Sequence, residues 1–200
     1  LEEAVRDSVL TRAEADRLSA ASLQVLLPSA AQEASEEGGI TTRPRPDYVR
    51  DTIHRLKTGL LFQLPFLGPD HIEPSLHPHR RQQLKQALLD FGIACQILDD
   101  LRDMARDFRE RRHNYVLSLL TWTHHPYLQH LQRNPPELTA RIYLDIPDIA
   151  LSTARQAIQA MTQSFAVLGA AGLCISPARS QSLAESFLPL LDLGDLPDAA

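Results

Sequence analysis

The chain has 200 residues, 44% of them hydrophobic, and a formal net charge of −5. That length suits one helical domain with its own core, read as a single domain over residues 1–200, and falls short of two full domains. An acidic balance without a long basic run argues against nucleic acid as a partner.

Residues 2–27 carry Ala, Leu, Glu and Arg with apolar positions at roughly helical spacing, and Thr11 with Glu14 forms a capping box that divides the stretch into two peripheral helices. No apolar run approaches the ~18 residues of a membrane-spanning helix. The opening Leu1-Glu2-Glu3-Ala4-Val5-Arg6-Asp7 lacks the basic-then-apolar order of a signal peptide. A cytoplasmic protein without an integral membrane segment is expected. Residues 28–46 begin and end with proline and hold Gly38-Gly39 and Arg43-Pro44-Arg45-Pro46, which reads as a surface loop.

Pro46 and Asp47 start a helix expected to run through Phe62 towards Gly68 and Pro69. Its apolar stripe holds Ile53, Leu56, Leu60, Leu61 and Leu64. Lys57 falls inside that stripe, four residues after Ile53 and four before Leu61, so its ammonium is directed inward, either to meet an anion or to snorkel to the core's edge. Thr58 adds a hydroxyl and Gly59 leaves room. Residues 69–79, with three prolines and His71, His77 and His79, read as a loop in which the histidines are exposed rather than metal-bound.

A long helix from about Pro78 to Asp107 follows. Between Ala87 and Leu98 it is apolar on nearly every side, as in a helix buried among helices. Its polar exceptions are informative. Gln96, Asp99, Asp100, Asp103 and Asp107 succeed one another at three- and four-residue steps along one strip, with Gly92 a turn upstream. Carboxylates so spaced near a buried helix end must be protonated, paired with arginine, or bound to a metal. Oxygen-only ligands favour a hard ion such as Mg²⁺, which often binds through one or two carboxylates plus phosphates. Arg102, Arg106, Arg109, Arg111 and Arg112 are near enough to neutralise the acids, or to hold phosphate oxygens bidentately.

A short helix over residues 116–123, a break at His124-His125-Pro126, punctuation at Asn134-Pro135-Pro136, and helices from about 147 to 168 and 177 to 191 complete the chain. Cys95 and Cys174 each sit in an apolar run and read as reduced core thiols, with no zinc or redox pattern. No segment alternates with period two, so the domain is expected to be all-α.

With Lys57-Thr58-Gly59-Leu60-Leu61-Phe62 and then Gly92-x-x-Cys95-Gln96-x-x-Asp99-Asp100-x-x-Asp103, the sequence resembles the trans-isoprenyl diphosphate synthases of the class I isoprenoid synthase superfamily. The resemblance spans about residues 31–118, and Gln32 matches a glutamine that precedes the Lys-Thr pair in that family. It implies an isoprenoid synthase-type helical bundle, here incomplete and lacking amino-terminal helices, so that the chain reads as the carboxy-terminal part of a prenyl synthase. Asp99 is implied as a direct Mg²⁺ ligand, with Asp100 and Asp103 completing the metal site. Lys57 and Thr58 would hold the diphosphate of a prenyl diphosphate, helped by Arg109 and Arg112, and Gln96 would face the reacting end of its chain.

The implied reaction is a Mg²⁺-dependent prenyl transfer with loss of diphosphate, in which Lys57, Gln96 and Asp99 serve catalysis. The family's first Asp-Asp-x-x-Asp motif is absent, Asp7, Asp16, Asp47 and Asp51 being scattered. A homodimer, or a heterodimer with another prenyl synthase chain, is therefore expected. Asp103-x-x-x-Asp107-x-Arg109-x-x-Arg112-x-x-Tyr115 is also similar to the second motif of squalene and phytoene synthases, which keeps head-to-head chemistry as an alternative. A non-catalytic helical partner subunit is the other.

Overall fold

The computed structural model describes residues 1–71 and 77–196, and these are all-α. The sequence-expected loop over residues 69–79 lies partly outside them, at 72–76. No helix among the described residues is long and apolar enough to cross a membrane.

Helices α1 (Glu2–Arg6) and α2 (Arg12–Ser35) are separated as the capping box requires. The Thr11 hydroxyl accepts from the Glu14 N–H, and the Glu14 carboxylate accepts from the Thr11 N–H at 2.7 Å. Two expectations fail here. Helix α2 continues through Pro28 to Ser35, so the first part of the expected loop is helical, and its inner face is no periphery. Pro28 removes one backbone donor, but Ser29 in the next position is buried and its hydroxyl donates to the Lys57 carbonyl at 2.8 Å. That contact ties α2 to the segment that follows.

The expected single helix from Pro46 is a chain of short pieces. Helix α3 (Pro46–Tyr48) leads into π-helical turns over Val49–His54, then α4 (Arg55–Lys57), a 3-10 stretch over Gly59–Phe66, and α5 (Leu67–His71). Thr58 interrupts it with φ −128° and ψ −44°. A Cβ at Gly59 would come within 3.1 Å of Ile93 Cγ1. The bend therefore serves close packing on the next helix. Pro65 also denies that stretch one backbone donor.

Helix α6 (Pro78–Arg102) is the centre of the domain, packed against the 3-10 stretch on one side and α10 (Pro147–Ala170) on another. Leu89, Ala94, Ile97, Leu98 and Leu101 are almost wholly buried. Phe91 joins Phe62, Phe165 and Phe187 with ring centroids 5.2 to 5.4 Å apart, an edge-on and tilted geometry that adds to area burial. At Asp103 the helix turns, and α7 (Met104–Glu110) begins a new register. Arg111 adopts a left-handed conformation and Asn114 caps α8 (Tyr115–Trp122), accepting from the Leu117 N–H at 2.9 Å.

The break expected at His124-His125-Pro126 is present, α8 ending at Trp122, and Pro126 then opens a helix that the sequence reading did not include, α9 (Pro126–Arg133), proline at the first helical position being well tolerated. A 3-10 turn over Ile142–Asp145 precedes α10, and the expected last helix is split at Ser186 into α11 (Pro177–Glu185) and α12 (Phe187–Leu190). Cys95 is half-buried and burial, with Asp99 nearby, pushes its thiol up to about 12, so it is inert as a nucleophile. Cys174 is exposed, contrary to its reading as a core thiol, because it lies in the turn after α10.

That turn depends on Gly169, whose added Cβ would lie 2.2 Å from the Ile175 carbonyl oxygen. Because the obstacle is backbone, Gly169→Ala is expected to cost about 2 kcal/mol of stability, read as a lower urea midpoint at unchanged slope. An unchanged midpoint would show that the turn yields freely.

Candidate functional site

Three elements meet at the carboxyl end of α6. Helix α2 contributes Glu33 and, just past its end, Glu36. The end of α4 contributes Lys57, and the corner after it Thr58. Helices α6 and α7 contribute Gln96, Asp99, Asp103, Arg106, Asp107 and Glu110. Together with Arg112 these residues, Glu36 and Thr58 excepted, line an open cleft of about 430 Å³.

The Thr58 hydroxyl donates to Gln96 Oε1 at 2.5 Å, joining the two segments picked out in the sequence. Gln96 Nε2 reaches Asp100 Oδ1 at 3.2 Å and Asp99 Oδ2 at 3.4 Å. Lys57 points into the cleft, with Nζ 3.3 Å from Glu33 Oε1 and 3.7 Å from Glu36 Oε1. Burial works against its charge, but Glu36, Glu33 and Asp100 outweigh burial and hold the ammonium above its usual range. Lys57 is therefore a fixed cation.

Two half-buried acids at the end of α6, Asp99 and Asp103, are held by arginine. Arg102 meets Asp103 with two hydrogen bonds of 3.0 Å and also bonds Asp99, while Arg106 bonds Asp103. Burial and the neighbouring Asp103 still raise the Asp99 carboxyl above its ordinary value, against the pull of Arg102. Asp107 is almost wholly enclosed. Burial, then Asp100, pushes its carboxyl up to about 7, partly opposed by the 2.9 Å hydrogen bond that Asn114 Nδ2 donates to it. At neutral pH this group divides between its charged and neutral forms.

Asp100 departs from its expected place among the metal ligands. It is 2% exposed and turned into the core, where Oδ2 accepts the Tyr115 N–H at 2.5 Å and lies 2.9 Å from Nε2 of the buried His54. Adjacent helical residues point about 100° apart. Asp99 and Asp100 therefore cannot both face the cleft. Arg109 departs likewise: it is exposed and outside the lining, and Arg106, one turn earlier, takes its place because α7 starts a new register at Asp103. Gln32 also lies outside the lining and bonds Glu36 at 3.3 Å.

Sequence reasoning missed Glu33 and Glu110 as lining residues, placed Arg109 rather than Arg106 at the site, and missed the buried network behind the cleft, Glu36 included. Glu36 accepts the His113 N–H at 3.0 Å, and Asn114 Nδ2 donates to the Asp100 carbonyl at 2.7 Å. Arg43 is tucked beside Asp107 and donates to the Arg112 carbonyl at 3.0 Å; burial lowers its pKa, against the attraction of Asp107. Asn114 before an apolar run was the one available signal, as a helix cap. Gly39 sits at φ +84°, and a Cβ there would come within 2.8 Å of Arg111 Nε, so the 38–45 strand of loop packs tightly on the α7–α8 corner.

The lining carries five carboxylates against the cations of Lys57, Arg106 and Arg112. A polyanion would be repelled from such a cleft unless it arrived with cations of its own. Among the described residues no three His, Cys, Asp or Glu side chains are gathered as a metal centre. Asp99 and Asp103 nevertheless supply two hard oxygen ligands side by side, which fits an ion that takes its remaining oxygens from water and phosphate. Arg102 must release them first. A separate cavity of about 470 Å³, walled by Ala87, Ile93, Ala94, Ile97, Ala160 and Val167 between α6 and α10, shares no lining residue with the cleft. Compared with protein-family models, characterised proteins and solved structures, the chain matches none.

Proposed function

We propose that the cleft is the diphosphate-binding half of a Mg²⁺-dependent prenyltransferase site of the isoprenoid synthase type. The observation that carries this reading is the Thr58–Gln96 hydrogen bond, which holds Lys57 and the Asp99–Asp103 pair on opposite walls of one cleft. Mg²⁺, when bound, would offset the negative charge of the diphosphate and favour its departure. Asp99 and Asp103 would hold that ion. Lys57 would exchange Glu33 for a phosphate oxygen, and Arg106 and Arg112 would pair with the remaining charge where it accumulates on bond cleavage. Gln96, fixed by Thr58, would orient the end of the prenyl chain nearest the breaking bond. A prenyl diphosphate and a second isoprenoid are the proposed substrates.

The acidic excess of the lining makes a clear expectation. Calorimetric titration with inorganic pyrophosphate should show binding in Mg²⁺ and at least about tenfold weaker binding without it, a difference of about 1.4 kcal/mol. Asp99→Ala and Lys57→Ala should each weaken the Mg²⁺-dependent binding by a similar factor. Binding that neither metal nor these substitutions affects would overturn the proposal.

A second reading, a non-catalytic helical subunit that joins an active prenyl synthase, is favoured by two observations. Arg102 already spans Asp99 and Asp103, and the apolar cavity is not continuous with the cleft. Absence of pyrophosphate binding, with a stable complex on mixing with such an enzyme in light scattering, would support it.

A further inference from the structure

Helices α6 and α10 run antiparallel: Arg80 bonds the Ala171 carbonyl at one end, and Ile97 and Gln156 share the lining of one cavity at the other. That cavity, of about 470 Å³, is the one separate from the cleft. Its α6 wall runs from Gln83 to Ile97, about 20 Å at the rise of a helix. The hollow exists because small side chains face one another across it, Ala87 and Ala94 from α6 and Ala160 and Ser164 from α10. Its floor is apolar and deep, Ala87, Ala94 and Ile97 being buried. The Ser164 hydroxyl is spent on the Ala160 carbonyl at 2.9 Å and adds no polar demand.

The rim differs in kind from the floor. It carries the exposed amides of Gln83, Gln86, Gln156 and Gln163, and of the large hydrophobic residues in the lining only Val167 is exposed. A protein partner takes its energy from large apolar side chains it can reach at the centre of a contact. Here the apolar surface lies inside the hollow, where a slender molecule reaches it, and the volume is in the range of small-ligand sites.

Charge decides what the ligand carries. The lining holds one cation, Arg50, and two carboxylates, Asp51 and Asp90. Arg50 donates twice to Asp51, at 2.6 and 2.8 Å, so those two charges are used on each other. Asp90 is half-buried and receives the neutral Gln86 amide on Oδ1 at 2.8 Å; among the described residues no lysine, arginine or histidine is paired with it. One negative charge is therefore left beside an apolar floor. An anionic head group would be repelled, whereas an ammonium finds a carboxylate oxygen and the carbonyl oxygens of the glutamines.

We propose that the hollow between α6 and α10 is a binding site for a monocationic amphiphile, an amine on an apolar body, with the body on the alanine and isoleucine floor and the ammonium at Asp90. The ligand enters as a free molecule, since the hollow takes its apolar part as well as its head. The proposal does not depend on what the cleft binds.

Calorimetric titration of the whole chain at pH 7 with three probes of equal chain length, octylamine, 1-octanol and octanoate, tests it. Octylamine is expected to bind with a dissociation constant below about 1 mM and at least about tenfold more tightly than octanoate. Asp90→Asn, which keeps an oxygen for Gln86, should weaken octylamine at least about tenfold while leaving octanol unchanged. Ala160→Leu, which fills the hollow from its half-buried wall, should abolish binding of both with the helical circular dichroism kept. Asp99→Ala should not alter octylamine binding, because the acidic cleft lies elsewhere. Absence of octylamine binding at about 1 mM would overturn the proposal. So would octanoate binding as tightly as octylamine, octylamine binding unaffected by Asp90→Asn, or octylamine binding lost in Asp99→Ala.

Discussion

Replacing Asp100 by alanine is expected to cost about 3 to 5 kcal/mol of folding stability, as removing one member of a buried charged network does. Asp100 is 2% exposed, and its two oxygens serve the Tyr115 N–H, Gln96 Nε2 and the edge of His54, itself 1% exposed. Truncation leaves the Tyr115 donor and the imidazole in an apolar surrounding without the carboxylate that faced them. It also uncouples the start of α8 from α6. Asp99→Ala is the contrast. That side chain is about one-third exposed, and its carboxyl is already raised by burial and Asp103. Its loss should change stability by less than about 1 kcal/mol, as for exposed ion pairs, while weakening Mg²⁺-dependent pyrophosphate binding about tenfold. Urea denaturation of both variants at pH 7 separates a structural acid from a cleft acid. Equal costs would mean that the Asp100 network does not hold the fold together.

Asp107→Asn is expected to stabilise the protein at pH 8 and to do so by less than half as much at pH 5. The Asp107 carboxyl is raised from an ordinary 3.8 to about 7, chiefly by burial and then by Asp100. A raised acid pKa means that the folded state binds the proton more tightly than the unfolded chain. Between about pH 4 and 7 the folded protein therefore holds more protons, and stability falls as pH rises through that window. Three pH units correspond to at most about 4 kcal/mol, and relaxation around the charge reduces this to about 1 to 3 kcal/mol. Asparagine keeps an oxygen for Asn114 Nδ2 and removes the ionisation. Thermal midpoints of both proteins at pH 5 and pH 8 check the sign. If wild type loses no ground to the variant between the two pH values, Asp107 is not held neutral by its surroundings.

Local chemistry is enough to place several features of the molecule. The Thr11–Glu14 box interrupts the chain between α1 and α2 because both halves of the motif lie within four residues. Apolar residues on every side of α6 between Ala87 and Leu98 announce a central helix, and α6 is the element on which the 3-10 stretch and α10 pack. Lys57 lies within an apolar stripe and is turned inward, towards Glu33 and Glu36. The all-α class follows from helical periodicity without any alternation of period two.

Other features depend on contacts between residues far apart in the chain. Pro28 marks a helix end by local rules, yet α2 passes through it, held by Ser29 on the Lys57 carbonyl 28 residues away. The cleft therefore gains Glu33, which no motif announces. Three- and four-residue spacing put Gln96, Asp99, Asp100, Asp103 and Asp107 on one strip, but the turn at Asp103 and the buried His54 divided them. Asp99 and Asp103 were left to the cleft, Asp100 to the core, and Asp107 to the boundary between them.

What the sequence determined by itself is the all-α class, the break between α1 and α2, the central position of α6 and the residue types that could meet a charged ligand, because propensity, capping and periodicity act over a few residues. Only the tertiary structure decided which carboxylates face water, which arginines reach them and that α2 forms a wall of the cleft. Those outcomes turn on burial and on hydrogen bonds across tens of residues, where a rotation of 100° between neighbours on a helix separates a ligand from a core residue.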